Sequence, residues 1–170
     1  MIQAQFSPTK ISSNSQEAFS LYERSRFGEK RQNKIEYSLP EALFLVETNR
    51  LKVFSGKNEI SFDDFLKKAK RIDKRIEVKY SVFSSLRKRG YILKTALKFG
   101  ADFRVYKKGF KPGQDHALWI LFCVRESEAN SWQDFSAKNR VAHSTKKKLL
   151  LGIVDDEDSV TFYEVAWLKP

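Results

Sequence analysis

Three residues of the second half of the chain, Tyr106, His116 and Lys147, are of types that can work together on a phosphodiester. Tyr106 closes a short run rich in apolar and aromatic residues. His116, ten residues later, opens the almost wholly apolar run His116–Val124, and Lys147 opens another, Lys147–Val154. If these runs are neighbouring strands of one sheet, the three side chains meet at one sheet end. A phenol, an imidazole and an ammonium group so placed meet the needs of attack by a ribose 2′-hydroxyl on its own phosphodiester. One group takes the hydroxyl proton, one protonates the departing 5′-oxygen, and one stabilises charge on the phosphorane. Arg104, Lys107 and Lys108 beside Tyr106 favour its anionic form, and an imidazole exchanges protons near neutrality. The scheme needs no metal, and two histidines with one cysteine almost exclude a Cys/His zinc site. Taken singly, a Tyr, a His and a Lys on strands are ordinarily packing or solvated residues.

The surroundings of Tyr106 point to the substrate class. Between Ser81 and Gln114 the chain carries nine Lys or Arg and one acid, Asp102. Apolar and aromatic residues recur through this stretch, so it reads as a folded surface and not as a tail. Concentrated positive charge on a folded surface calls for a polyanion, and nucleic acid is the first candidate. The whole chain of 170 residues has a formal charge of +11, spread over both halves. With 41% apolar and 14% aromatic residues it can build a core. Cys123, in an apolar run, reads as a buried small hydrophobe. Met1–Ser20 lacks the apolar segment of a secretory leader and no run reaches membrane-spanning length, so a cytoplasmic protein without a membrane partner is expected.

The elements that must position the three groups can be read from pattern. Roughly the first 16 residues are rich in Ser, Gln and Thr and are expected to be weakly ordered. Ser38-Leu39-Pro40-Glu41 is a capping box with Pro in the first turn, opening a helix that ends near Asn49. Leu51–Phe54 reads as a strand and Ser55–Asn58 as its turn. Ser61 caps a second helix with Asp63 and Asp64 at its positive end. A third helix, about 76–89, stops at Gly90. Then the period changes: Tyr91–Thr95 and Ala101–Tyr106 read as strands, Lys107–Gln114 as a basic loop marked by Gly109, Pro112 and Gly113, and His116–Val124 as a central strand. Ser131 opens a fourth helix, Lys147–Val154 is a strand, Asp155–Ser159 a turn and Val160–Leu168 a last strand. The fold class expected is α/β (α+β). A small helix-rich α+β domain, 1–78, precedes a domain, 79–170, with a mixed sheet flanked by helices.

Two segments carry a family resemblance. One, 79–109, contains Leu86-Arg87-Lys88-Arg89-Gly90-Tyr91 and Phe99-Gly100-Ala101-Asp102-Phe103. The other is 140–155, from Arg140 through Lys146-Lys147-Lys148-Leu149-Leu150 to Asp155. Both resemble the archaeal tRNA-splicing endonucleases, and the resemblance runs from about residue 20 onward. It implies an enzyme that cuts precursor tRNA at bulge-helix-bulge intron junctions, leaving a 2′,3′-cyclic phosphate and a 5′-hydroxyl. By it, the family's catalytic Tyr, His and Lys fall on Tyr106, His116 and Lys147. Lys147 is taken from a run in which Lys146 and Lys148 compete for the register. Arg140 resembles the arginine that stacks on a flipped bulge base, with Trp167 as a second stacking residue or, equally, a core or interface anchor. Arg104, Lys107 and Lys108 are further RNA-binding candidates. Asp155, Asp156, Glu157 and Asp158 resemble an acidic loop inserted into a neighbouring subunit, which implies a homotetramer built as a dimer of dimers. No cofactor is implied. His143, on the fourth helix, reads as structural or surface.

Two rivals stand beside this reading. A non-catalytic RNA-binding subunit would use the same basic face. A metal-dependent nuclease would use Asp155–Asp158, although four adjacent acids on a turn rarely converge without other ligands.

Overall fold

Alternation hidden in a polar stretch makes strands of the chain's first residues. β1 (Ile2–Ser7) buries Ile2 and Ala4 while Gln3 and Gln5 face outward, and β2 (Lys10–Ser13) buries Ile11 and Ser13. The first sixteen residues, expected to be weakly ordered, instead supply the middle of a sheet. Their Ser and Gln residues occupy the solvent face of a period-two pattern, which composition alone conceals.

The computed structural model describes residues 1–111 and 114–170; Pro112 and Gly113, two of the loop markers, lie outside the described residues. It divides into two compact units, Met1–Tyr80 and Ser81–Pro170. The first unit continues with α1 (Gln16–Ser25), capped by the Ser15 hydroxyl accepting the Ala18 N–H, then β3 (Glu29–Arg31) and β4 (Lys34–Tyr37). α2 (Leu39–Glu47), β5 (Leu51–Ser55), β6 (Asn58–Ile60) and α3 (Phe62–Ile72) follow. The sheet order is β3-β4-β2-β1-β5-β6, with β1 antiparallel to β2 and parallel to β5. This α+β unit thus carries six strands beside its helices, and β1 to β4 are the ones that pattern left unread, being short and polar on one face.

The Ser38 box does more than start α2. The buried Glu41 carboxylate accepts Ser38 N–H at 3.0 Å, Ser38 Oγ–H at 2.8 Å and Gly28 N–H at 2.9 Å. It thus ties the helix start to the turn before β3. Burial, and secondarily the Glu41 charge, push the neighbouring Tyr37 phenol well above its ordinary value.

α4 (Ile76–Lys88) crosses the division between the units. The second unit then contains β7 (Ile92–Thr95), a 3-10 turn (Leu97–Phe99), β8 (Phe103–Tyr106), β9 (Trp119–Arg125), α5 (Trp132–Ser144), β10 (Lys148–Val154) and β11 (Val160–Val165). Its sheet order is β11-β10-β9-β8-β7, with every pairing antiparallel except β9–β10. The parallel pair requires a crossover, and α5 makes it.

Both faces of this sheet are covered. Ala142 of α5 packs with Ile120, Phe122 and Leu149 on one face. On the other, Val82 of α4 lies so close to Gly152 that a Cβ there would sit 2.8 and 3.0 Å from the Val82 methyl carbons. Coverage of both faces explains the near-continuous apolar run of β9.

Candidate active site

One edge of the second sheet collects the residues singled out by their chemistry. β8 ends at Tyr106 where β9 begins, because β8 and β9 run antiparallel with Val105 opposite Trp119. β9 and β10 run parallel with Trp119 opposite Lys148, so Lys147 enters at the same edge. β11 runs back against β10 with Val165 opposite Leu149, which returns the chain to that edge just before Trp167. The acidic turn and the β9–α5 connection lie at the opposite edge.

His116 and Lys147 precede the strands that they were expected to begin. The β9 ladder starts only at Trp119, and Leu118 N–H reaches Val105 O across a 2.7 Å hydrogen bond. Lys147 lies in the cap that closes α5, its N–H bonding Ala142 O at 2.9 Å. Trp167 likewise lies past β11 instead of inside it.

The three groups differ in exposure. Tyr106 is 6% exposed and packs with Ile92 and Ala117; the Phe110 ring lies on it at 3.9 Å between centroids, inclined 30°. His116 is exposed. Lys147 is half-buried and its ammonium donates to Thr145 O at 2.8 Å, which fixes its position beside a cleft of about 880 Å³. Ala117 and Leu118, directly after His116, form part of that cleft's wall. Just before His116, the Asp115 carboxylate accepts Lys111 N–H at 2.6 Å.

The surrounding candidates separate into groups. Arg140 is exposed one turn before the end of α5. Trp167 is exposed and meets the edge of His143 at 4.1 Å, inclined 78°. Among the described residues no cation–π contact joins Arg140 to Trp167. Lys107 and Lys108 are exposed directly after Tyr106. Arg104 is turned the other way: its Nε donates to Thr95 O at 3.3 Å and its guanidinium lies 6.0 Å over Phe99, at the far end of β8.

The acidic turn is equally divided. Asp155 Oδ1 accepts the N–H groups of Glu157 and Ser159, each at 2.9 Å, so this side chain holds its own turn. Asp158 lies 3.5 Å from Arg125, leaving Asp156 and Glu157 pointing into solvent. Among the described residues, no group of three or more His, Cys, Asp or Glu is arranged to hold a metal ion.

Sequence reasoning overlooked two features here. Phe110 covers Tyr106, although an aromatic in an otherwise basic loop was a visible signal. Glu164 is bonded by Lys148 Nζ at 2.6 Å and Trp119 Nε1 at 2.7 Å. The Lys148 and Trp119 hydrogen bonds hold its carboxyl below the usual range. Only the registers of β9 with β10 and of β10 with β11 bring these residues together.

With this geometry in hand, comparison with known proteins gives a consistent answer. Residues 76–162 match the tRNA intron endonuclease catalytic C-terminal domain, and residues 2–66 match the N-terminal domain of the same enzymes. A tRNA-splicing endonuclease of Pyrococcus abyssi is 42% identical over 149 residues, covering 88% of this chain and 85% of its own. One from Nanoarchaeum equitans is 45% identical over 141 residues, 79% and 90% of the two chains. One from Thermococcus kodakarensis is 36% identical over 170 residues, 99% of each. The chain belongs to the tRNA intron endonuclease family, and its second unit carries that family's catalytic domain. Among the described residues, no helix is long and apolar enough to cross a membrane.

Proposed function

We propose that this protein cuts precursor tRNA at bulge-helix-bulge intron junctions by 2′-hydroxyl attack, without a metal, leaving 2′,3′-cyclic phosphate and 5′-hydroxyl ends. The observation that carries the reading is the strand order, in which β8 ends where the segments entering β9 and β10 begin. Tyr106 takes the 2′-hydroxyl proton, His116 gives a proton to the leaving 5′-oxygen, and Lys147 balances charge on the phosphorane. Phe110 packs on the phenol ring from one side. Arg140 and Trp167 grip unpaired bulge bases by stacking, and Lys107 and Lys108 meet phosphates. Arg104 is left to the sheet.

The test is cleavage of an intron-containing tRNA in EDTA, with end-group mapping. His116→Ala and Lys147→Ala are expected to lose about 10²–10⁴ in rate. Wild-type rates from His116→Ala, or complete dependence on added magnesium, would refute the scheme. A non-catalytic RNA-binding subunit would hold the same RNA and leave it whole.

The same reading includes a homotetramer, a dimer of dimers, in which the acidic turn enters a basic pocket of a neighbouring copy. Opposite charge fixes register in such contacts. Asp156 and Glu157 are exposed, and their carboxylates take no part in the hydrogen bonds that hold the turn, so they are the two acids suited to it. Replacing both with Ser is expected to give smaller particles by sedimentation; an unchanged tetramer would count against the insertion.

A further inference from the structure

The three consecutive lysines after α5 are not equivalent. Lys148 is paired with Glu164, and Lys147 is bonded to Thr145 O. Lys146 is exposed, and its ammonium pairs with no acid among the described residues. It also has φ 55°, in the left-handed region. Two hydrogen bonds impose that conformation: Lys146 N–H to His143 O and Lys147 N–H to Ala142 O, both 2.9 Å. This is the Schellman ending of a helix, whose left-handed position is normally glycine. The backbone here favours glycine, and the sequence places a cation. A side chain kept at a disfavoured backbone position beside a reaction centre points to a use for that side chain.

The cleft beside it gives the use a location. Lys146 lines it together with Lys147, His143 and Ser144, and its apolar part comes from Ala117 and Leu118. Its volume of about 880 Å³ is within the range of sites that take small organic ligands. A cationic rim over an apolar wall suits a nucleotide: phosphate on the rim, sugar and base inside. Glu164 also lines the cleft, but its carboxylate is paired with Lys148, which leaves Lys146 to meet the phosphate. A flexible lysine acts there as a point charge and needs no fixed fork geometry.

We infer that Lys146 binds the phosphate of a nucleotide neighbouring the scissile linkage, and that the cleft beside Lys147 houses that nucleotide. The inference rests on the RNA-cutting function proposed above. Its test uses the full chain and a bulge-helix-bulge RNA made uncleavable by 2′-deoxy substitution at the scissile nucleotides. Lys146→Gly and Lys146→Asn keep or raise the melting temperature, since both residues tolerate a positive φ. Both weaken binding and flatten the dependence of log affinity on log salt by about 0.7–0.9, the loss of one phosphate contact. On cleavable RNA both raise KM several-fold, and Lys146→Arg restores binding and KM. A salt slope and KM equal to wild type in Lys146→Asn would overturn the inference and leave Lys146 as a helix-end charge. So would an Arg variant as weak as the Asn variant, or a wild-type chain that fails to bind the probe. Failure of the function itself reads out separately, as cleavable RNA that wild type binds and does not cut.

Discussion

Gly152→Ala should destabilise the second unit through its short contacts with one side chain, Val82. The new methyl would stand 2.8 and 3.0 Å from Cγ1 and Cγ2 of Val82, and 3.4 Å from Cε1 of Phe162. Carbon atoms pack best at about 3.5–4.0 Å, so two contacts are short by roughly half an ångström or more. Neither side can yield cheaply. β10 is hydrogen-bonded along its length to β9 and β11. Val82 is fully buried and branched at Cβ, which restricts its rotamers in a helix. Overpacking of this kind costs about 1–3 kcal/mol, and each kcal/mol lowers Tm by about 2–4 °C in a chain of this size. Val82→Ala alone removes two methyl groups at about 0.8 kcal/mol each. The two changes together should cost clearly less than their sum, since the added methyl enters the vacated space. Urea unfolding followed by circular dichroism measures all three variants. A silent Gly152→Ala, or a double variant that loses the full sum, would refute the account of how α4 meets the sheet.

Two further outcomes concern the first unit. Asp73 accepts Lys79 Nζ–H at 2.6 Å and Arg75 N–H at 2.9 Å. Burial alone would raise this carboxyl, but the Lys79 and Arg75 hydrogen bonds outweigh it and hold it below the usual range. A depressed carboxyl stabilises the fold above its unfolded pKa of about 3.9, and that contribution fades as pH falls through the folded value. Asp73→Asn should therefore cost about 1 kcal/mol at neutral pH and converge on wild type in acid; a constant gap from pH 7 to pH 3 in urea titrations would contradict this. Glu41→Gln turns a donor towards either Ser38 or Gly28, whose donors meet different carboxylate oxygens of this buried site, and should cost about 1–3 kcal/mol; thermal melts matching wild type would show that the carboxylate is dispensable.

The parts of the fold legible in the sequence were those with local chemistry. The Ser38, Ser61 and Ser131 caps announce their helices, because a hydroxyl before an apolar stripe has one common use. The apolar runs of β9 and β10 announce buried strands, and strand order then delivers Tyr106, His116 and Lys147 to one edge. β1 and β2 were hidden because alternate Ser and Gln residues mask the buried Ile2, Ala4 and Ile11. The start of β9 was misplaced by three residues because Ala117 and Leu118 are apolar without joining the ladder. The distinction among Lys146, Lys147 and Lys148 was out of reach: it depends on a left-handed helix end and on Glu164, which arrives from the next strand. The use of Asp155 as a staple for its own turn was equally invisible, since four acids in a row look alike until the backbone bends around one of them.

The separation of the two sheet edges also makes the molecule easy to instrument. Cys123 is fully buried, whereas Ala129, in the connection after β9, is exposed. An Ala129→Cys chain would therefore present a single accessible thiol to a fluorophore. The length of β9, about 20 Å at about 3.3 Å per residue, separates the connection that holds that dye from the edge where Tyr106 ends and puts it on the side of Asp156 and Glu157. If copies dock through that turn and RNA is cut at the other edge, as proposed above, its emission would report the docking and stay blind to the cutting, so the two events could be timed independently in one cuvette.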